Sequence, residues 1–125
     1  MPAWEIIGEE EKNELIKIFE ESNGVMFAHG FDDRRGNIFR VRDFENRIAD
    51  KLSVKHCLAT TSGTMAQYIA MKAMGIKAGD EVITQAFTFV ATVETIIEIG
   101  ATPVIVDIDD SYNMDPNELE KAITD

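Results

Sequence analysis

Three short apolar runs, Val54 to Thr60, Glu81 to Thr84 and Thr102 to Asp107, each lead within a few residues into a segment with helical spacing. That alternation constrains the fold more than any other feature. Strands joined to helices by short links imply right-handed crossovers and a parallel or mixed α/β sheet. The expected helices run from Met65 to Met74, stopped by Gly75, from Phe87 to Gly100, and from Asp115 to Ile123, where Asp115 is the N-cap and Pro116 the first helical residue. The first of these is apolar around much of its girth and is expected to pack on a sheet. Thr102 to Asp107 is nearly pure apolar sequence, as expected of a central strand buried on both faces.

Ahead of this block, Leu15, Ile16, Ile18 and Phe19 punctuate a charged segment from Gly8 to Glu21. Glu9, Glu10 and Glu11 fall in its first turn, where negative charge suits the helix dipole. A second helix is expected over Phe39 to Leu52, with Phe44, Ile48 and Leu52 on one face. Between the two, Val25 to Asn37 has no periodicity and gathers His29, Asp32, Asp33, Arg34 and Arg35 around Gly24, Gly30 and Gly36. A loop of this length is functional, part of an interface, or a connector, and Phe27 and Phe31 argue against plain disorder.

With 125 residues, 45% of them hydrophobic, the chain is sized for one domain spanning 1–125. The net charge of −11 opposes nucleic acid and anionic membrane surfaces as partners. Most of the carboxylates read as solvated helix faces. The single cysteine, Cys57, excludes an internal disulfide framework and fits a reducing compartment, and its apolar setting suits a core residue better than a nucleophile. The start of the chain lacks signal-peptide character, and no apolar stretch approaches the roughly 18 residues of a membrane span. The expectation is a soluble, cytoplasmic protein.

Two stretches carry possible chemistry. The apolar run at Leu58 ends in Thr60-Thr-Ser-Gly-Thr-Met65, a hydroxyl- and glycine-rich turn that opens a helix. Gly63 permits close backbone approach, and the amides of Gly63, Thr64 and Met65 are expected to be unpaired donors, joined by the Ser62 and Thr64 hydroxyls. Such a nest suits a phosphate monoester, although the same residues also serve as a helix cap. Neither nucleotide-binding glycine motif is present. The second stretch, Gln85 to Thr92, follows a strand at its carboxyl end, where open α/β sheets bind ligands, so Phe87 or Phe89 could meet a flat ring held at 62–64. A phenylalanine there could equally belong to the core.

In this order the two stretches resemble the DegT/DnrJ/EryC1/StrS sugar aminotransferase family, within the aspartate aminotransferase fold type (fold type I) of pyridoxal-phosphate enzymes. The likeness is close from Phe44 to Asp125. It runs through Phe44-Glu45, the Thr-Ser-Gly-Thr run at 61–64, Gly79 to Thr84, Phe87 to Thr92, Gly100 to Asp109 and Asn113 to Pro116. The resemblance implies the N-terminal portion of a three-layer α/β large domain with a mostly parallel or mixed sheet, truncated within residues 1–125. It implies pyridoxal 5′-phosphate as cofactor, with Gly63 and Thr64 on the phosphate, beside the donor Ser62, and Phe89 stacked on the pyridine ring. Gln85 stands where proline is common in the family, a difference at the turn and outside the chemistry. The region from Phe27 to Arg35 is similar to one near the active site and dimer interface.

The resemblance further implies amination of a nucleotide-linked keto sugar, with an amino-acid donor such as glutamate, in polysaccharide or antibiotic sugar biosynthesis, by a homo-oligomer. Transamination needs a Schiff-base lysine and a carboxylate on the pyridine nitrogen, and in the family both arise later than this chain reaches. The seven lysines, at 12, 17, 51, 55, 72, 77 and 121, match no such motif. The isolated chain is therefore expected to hold no catalytic residue, to bind the cofactor without a covalent link, and to be inactive. A dehydratase of the same family, in which histidine replaces the lysine, and a non-catalytic α/β assembly module are the alternatives.

Overall fold

A computed structural model describes residues 6–22, 33 and 36–124 and divides the chain into two units, 1–57 and 58–125. The loop residues Phe27, His29, Phe31, Asp32, Arg34 and Arg35 lie outside the described residues.

The first unit contains α1 (Glu9–Glu21) and α2 (Arg40–Leu52). The Glu11 carboxylate accepts the Gly8 N–H at 2.7 Å, which closes the first turn of α1 and holds the carboxyl below the usual range. The helices are tied by Arg40, whose guanidinium bridges Glu14 and, at 2.6 Å, Glu21. Apolar contact contributes little. Ala49 is the one buried residue among those described in the two helices, while Leu15, Phe19, Val41, Phe44 and Leu52 are exposed.

The second unit has the order α3 (Gly63–Ala73), β1 (Glu81–Gln85), α4 (Val90–Ile99), β2 (Thr102–Val106), α5 (Pro116–Ala122). The two strands pair in parallel, Glu81 opposite Thr102 through Gln85 opposite Val106. The expected α/β class and parallel pairing are thus present. Between the strands runs α4, stopped by Gly100 at φ +89, where a Cβ would meet that of Ala78 at 3.1 Å, so only glycine ends the helix there without strain. Ala91, Thr95, Ile96 and Ile99 are all buried on α4, and Ile96, 2% exposed, is the most buried side chain among the described residues.

Three expectations fail for physical reasons. Val54 to Thr60 forms no strand, because a strand exists only through its ladder, and among the described residues β1 and β2 pair only with each other. Instead the Val54 N–H closes the end of α2 by donating to Ala49 O at 3.0 Å. Next, α3 packs chiefly on α4 rather than on the sheet, since α4 already lies against both strands. Met71 joins Ile96, Ile99 and Ala101 in the core, with Tyr68, Ile76 and Val82 packed around them. Finally, β2 is not buried on both faces: Ile105 is 57% exposed and borders an open groove toward Glu118 and Lys121 of α5.

The helix expected from Phe87 begins at Val90. Ala86 still donates to Val106 O at 2.8 Å, so residues 86–89 form a turn at the strand end.

Candidate functional site

The carboxyl end of β1 and the start of α3 meet through α4. Gln67, in the second turn of α3, donates to Thr92 Oγ1 at 3.5 Å and accepts from Thr95 Oγ1 at 3.4 Å, both in the first turns of α4. Farther along, Met71 faces Ile96 and Ile99. The two helices therefore run alongside each other in the same sense, and their N-termini lie at one end of the unit. Ser62 to Thr64 open α3 and Phe89 precedes α4, so this packing puts the sequence-predicted residues at that shared end.

At the α3 terminus Ser62 is extended, with φ −163 and ψ 164, and its Oγ accepts the Met65 N–H at 3.1 Å. This corrects one expectation, because the Met65 amide is paired. The Ser62 hydroxyl keeps its own proton to donate. The Thr60 hydroxyl donates to Ser62 O at 2.9 Å and fixes the turn from the other side. The amides of Gly63 and Thr64 are in the first turn, ahead of the helical ladder, and remain available. A Cβ built on Gly63 would meet nothing within 4 Å, so the space over these donors is open.

Electrostatics favour an anion at this end. Acidic residues occupy the first turn of α1, α2 and α5, but none occupies that of α3 or α4. In a chain of net charge −11 the two helix termini thus keep their first turns free of carboxylates, and Glu94, which lines the same cavity as Thr64, stands farther along α4. Phe89 is 76% exposed and belongs to no core cluster among the described residues. Phe87, 63% exposed, lies instead against Tyr112, with ring centroids 5.7 Å apart.

Gln67 and Tyr112 escaped the sequence reading. Gln67 sits one turn before Met71 on a face that packs, and a polar residue there was the available signal. Tyr112 had none, since its partner is distant in the chain. None of the lysines joins the site motifs. The Glu118 carboxylate, hydrogen-bonded at 2.6 Å, holds the Lys121 ammonium above its usual range, and Lys72 lies over the Tyr68 ring at 5.7 Å. No group of side chains able to hold a metal occurs among the described residues, and no described helix is long and apolar enough to cross a membrane.

Two helix starts, one with free amides and the other preceded by an exposed aromatic ring, thus stand at one end of a parallel α/β unit, an arrangement that suits an anion and a flat ring. The chain belongs to the DegT/DnrJ/EryC1/StrS aminotransferase family, whose model matches residues 27–125. It is 51% identical over 85 residues to the UDP-2-acetamido-2-deoxy-3-oxo-D-glucuronate aminotransferase of Pseudomonas aeruginosa, covering 67% of this chain and 24% of that relative. A solved Bacillus subtilis structure with bound pyridoxamine phosphate superposes with a TM-score of 0.78 at 31% identity, over 94% of this chain and 26% of that one. A GDP-4-keto-6-deoxymannose-3-dehydratase, solved with a trapped pyridoxal phosphate–glutamate adduct, superposes with a TM-score of 0.66 at 27% identity, over 70% of this chain and 25% of that one. The chain spans about a quarter of the length of these relatives.

The family is one of pyridoxal-phosphate enzymes of fold type I in which aminotransferases predominate among the similar proteins, with the dehydratase beside them. The residues present fit that cofactor: unpaired amides at Gly63 and Thr64, hydroxyls at Ser62 and Thr64, open space above Gly63, and the free ring of Phe89.

Proposed function

We propose that residues 1–125 form the N-terminal portion of the large domain of a cytoplasmic pyridoxal-phosphate-dependent aminotransferase acting on a nucleotide-linked keto sugar, with an amino acid such as glutamate as donor. The observation that carries this proposal is the pair of acid-free helix termini, one bearing free amides and the other a bare aromatic ring. Gly63 and Thr64 bind the cofactor phosphate through their N–H groups, assisted by the Ser62 and Thr64 hydroxyls. The exposed ring of Phe89 would stack on the pyridine ring, orient it and exclude water from that side. The cofactor, when bound, supplies an electron sink for the carbon that gains or loses the amino group. This part of the chain fixes the position of that ring.

None of the seven lysines here is the amine that links to the cofactor. Incubation with pyridoxal phosphate, reduction with borohydride and peptide mass spectrometry should give no stoichiometric pyridoxyl adduct at a single lysine. Such an adduct would overturn this assignment.

The dehydratase similarity supports a second reading, a sugar dehydratase of the same family using the same phosphate and ring contacts. Exposed Leu15, Phe19, Phe44 and Ile97 support self-association into a homo-oligomer, because monomeric proteins rarely expose so many large apolar side chains. Sedimentation should show mass increasing with concentration, and a monomer throughout the micromolar range would contradict it.

A further inference from the structure

The turn at 86–89 is held from three sides by groups to which the proposed cofactor site assigns no role. Gln85 Nε2 donates to Phe87 O at 2.7 Å. Thr88 and Thr92 share a hydrogen bond at 3.0 Å, which ties the turn to α4. On the outside, the Phe87 ring meets that of Tyr112 with the planes inclined at 47°.

Tyr112 reaches this position at a conformational cost. Its φ is +63, a region that bulky side chains adopt only when their surroundings impose it. The imposing structure is the hairpin that follows β2. Tyr112 N–H donates to Asp109 O, Asp109 N–H to Asn113 O and Asp115 N–H to Asp107 O, each at 3.0 Å, and Ile108 bridges Met114. The Asp109 carboxylate accepts from the hydroxyl and N–H of Ser111, which hold its carboxyl below the usual range.

Both rings of the pair remain largely exposed, Phe87 at 63% and Tyr112 at 67%, so core burial does not explain the strain. What the ring of Tyr112 meets from this position is Phe87, inside the 86–89 turn. We infer that Gln85 and Tyr112 are positioning residues: together they fix the 86–89 turn so that Phe89 presents its face to a planar ring held at the start of α3. This inference rests on the proposed cofactor site.

The test uses calorimetric titration of the chain with two ligands, 4′-deoxypyridoxine 5′-phosphate, which has the ring but no aldehyde, and inorganic phosphate. Tyr112→Gly removes the ring and the strain together, because glycine accepts positive φ. Tyr112→Gly and Gln85→Ala should each weaken the ring-bearing ligand by about threefold or more and leave phosphate affinity unchanged, whereas Tyr112→Phe should retain both. Equal losses for the two ligands would mark a merely structural role and overturn the inference. So would unchanged ring affinity in both variants while Phe89→Ala weakens it, an outcome that leaves the cofactor site standing. If Phe89→Ala also has no effect on the ring ligand, the cofactor site and the inference fall together.

Discussion

Ile96→Ala should destabilise the 58–125 unit by about 2–5 kcal/mol, the largest loss expected from any single truncation here. Ile96 is 2% exposed and sits where α4 meets Met71 of α3, with Ile99 and Ala101 completing the cluster. Removing its outer carbons leaves a cavity between two helices that this cluster and the Gln67 hydrogen bonds hold together. Alanine's better helix propensity returns less than about 1 kcal/mol. Small domains are stable by about 5–15 kcal/mol, so the loss takes a large share of the whole. Urea unfolding followed by circular dichroism should show the lowered midpoint. Leu15→Ala, at a side chain 61% exposed, should fall within about 0.5 kcal/mol of the unsubstituted chain. A cost below about 1 kcal/mol for Ile96→Ala would mean that α3 and α4 are not packed as described.

The consequence for function is direct. Thr64 and Phe89 share one end of the unit because the α3–α4 contact aligns the two helices, so loosening it should also lower cofactor affinity.

What the sequence made legible was local. Helix ends were written in side chains that act within a few residues: Ser62 capping Met65, Asp115 accepting from Asn117 at 2.7 Å before Pro116, and Gly100 at positive φ. The turn that opens α3 at 62–64 was legible for the same reason. Features that depend on distant partners were not. Val54 to Thr60 has a strand's composition, but composition cannot supply a ladder. Ile105 belongs to an apolar run, yet its burial depends on what covers the sheet. The Phe87–Tyr112 pair joins residues 25 positions apart through a hairpin whose positive φ falls on a tyrosine, where no glycine announces it.

The second large effect concerns the phosphate donor itself. Gly63 is the first residue of α3, a position where proline is favoured because its φ already suits the helix and the missing N–H has no intrahelical partner. Ser62 before it is extended, as a residue preceding proline must be. Gly63→Pro therefore deletes one proposed phosphate donor while leaving the helix intact or firmer. A hydrogen bond to a charged group contributes about 1.5–3 kcal/mol, so the loss should reach about tenfold to a hundredfold in affinity.

The deciding measurement is the dissociation constant of 4′-deoxypyridoxine 5′-phosphate for the unsubstituted chain and for Gly63→Pro, taken with the melting temperature of each. The proposed site requires affinity to fall at least tenfold with the melting temperature unchanged or raised. Equal affinities in two equally folded chains would show that the Gly63 amide holds no phosphate and would contradict the account at its centre.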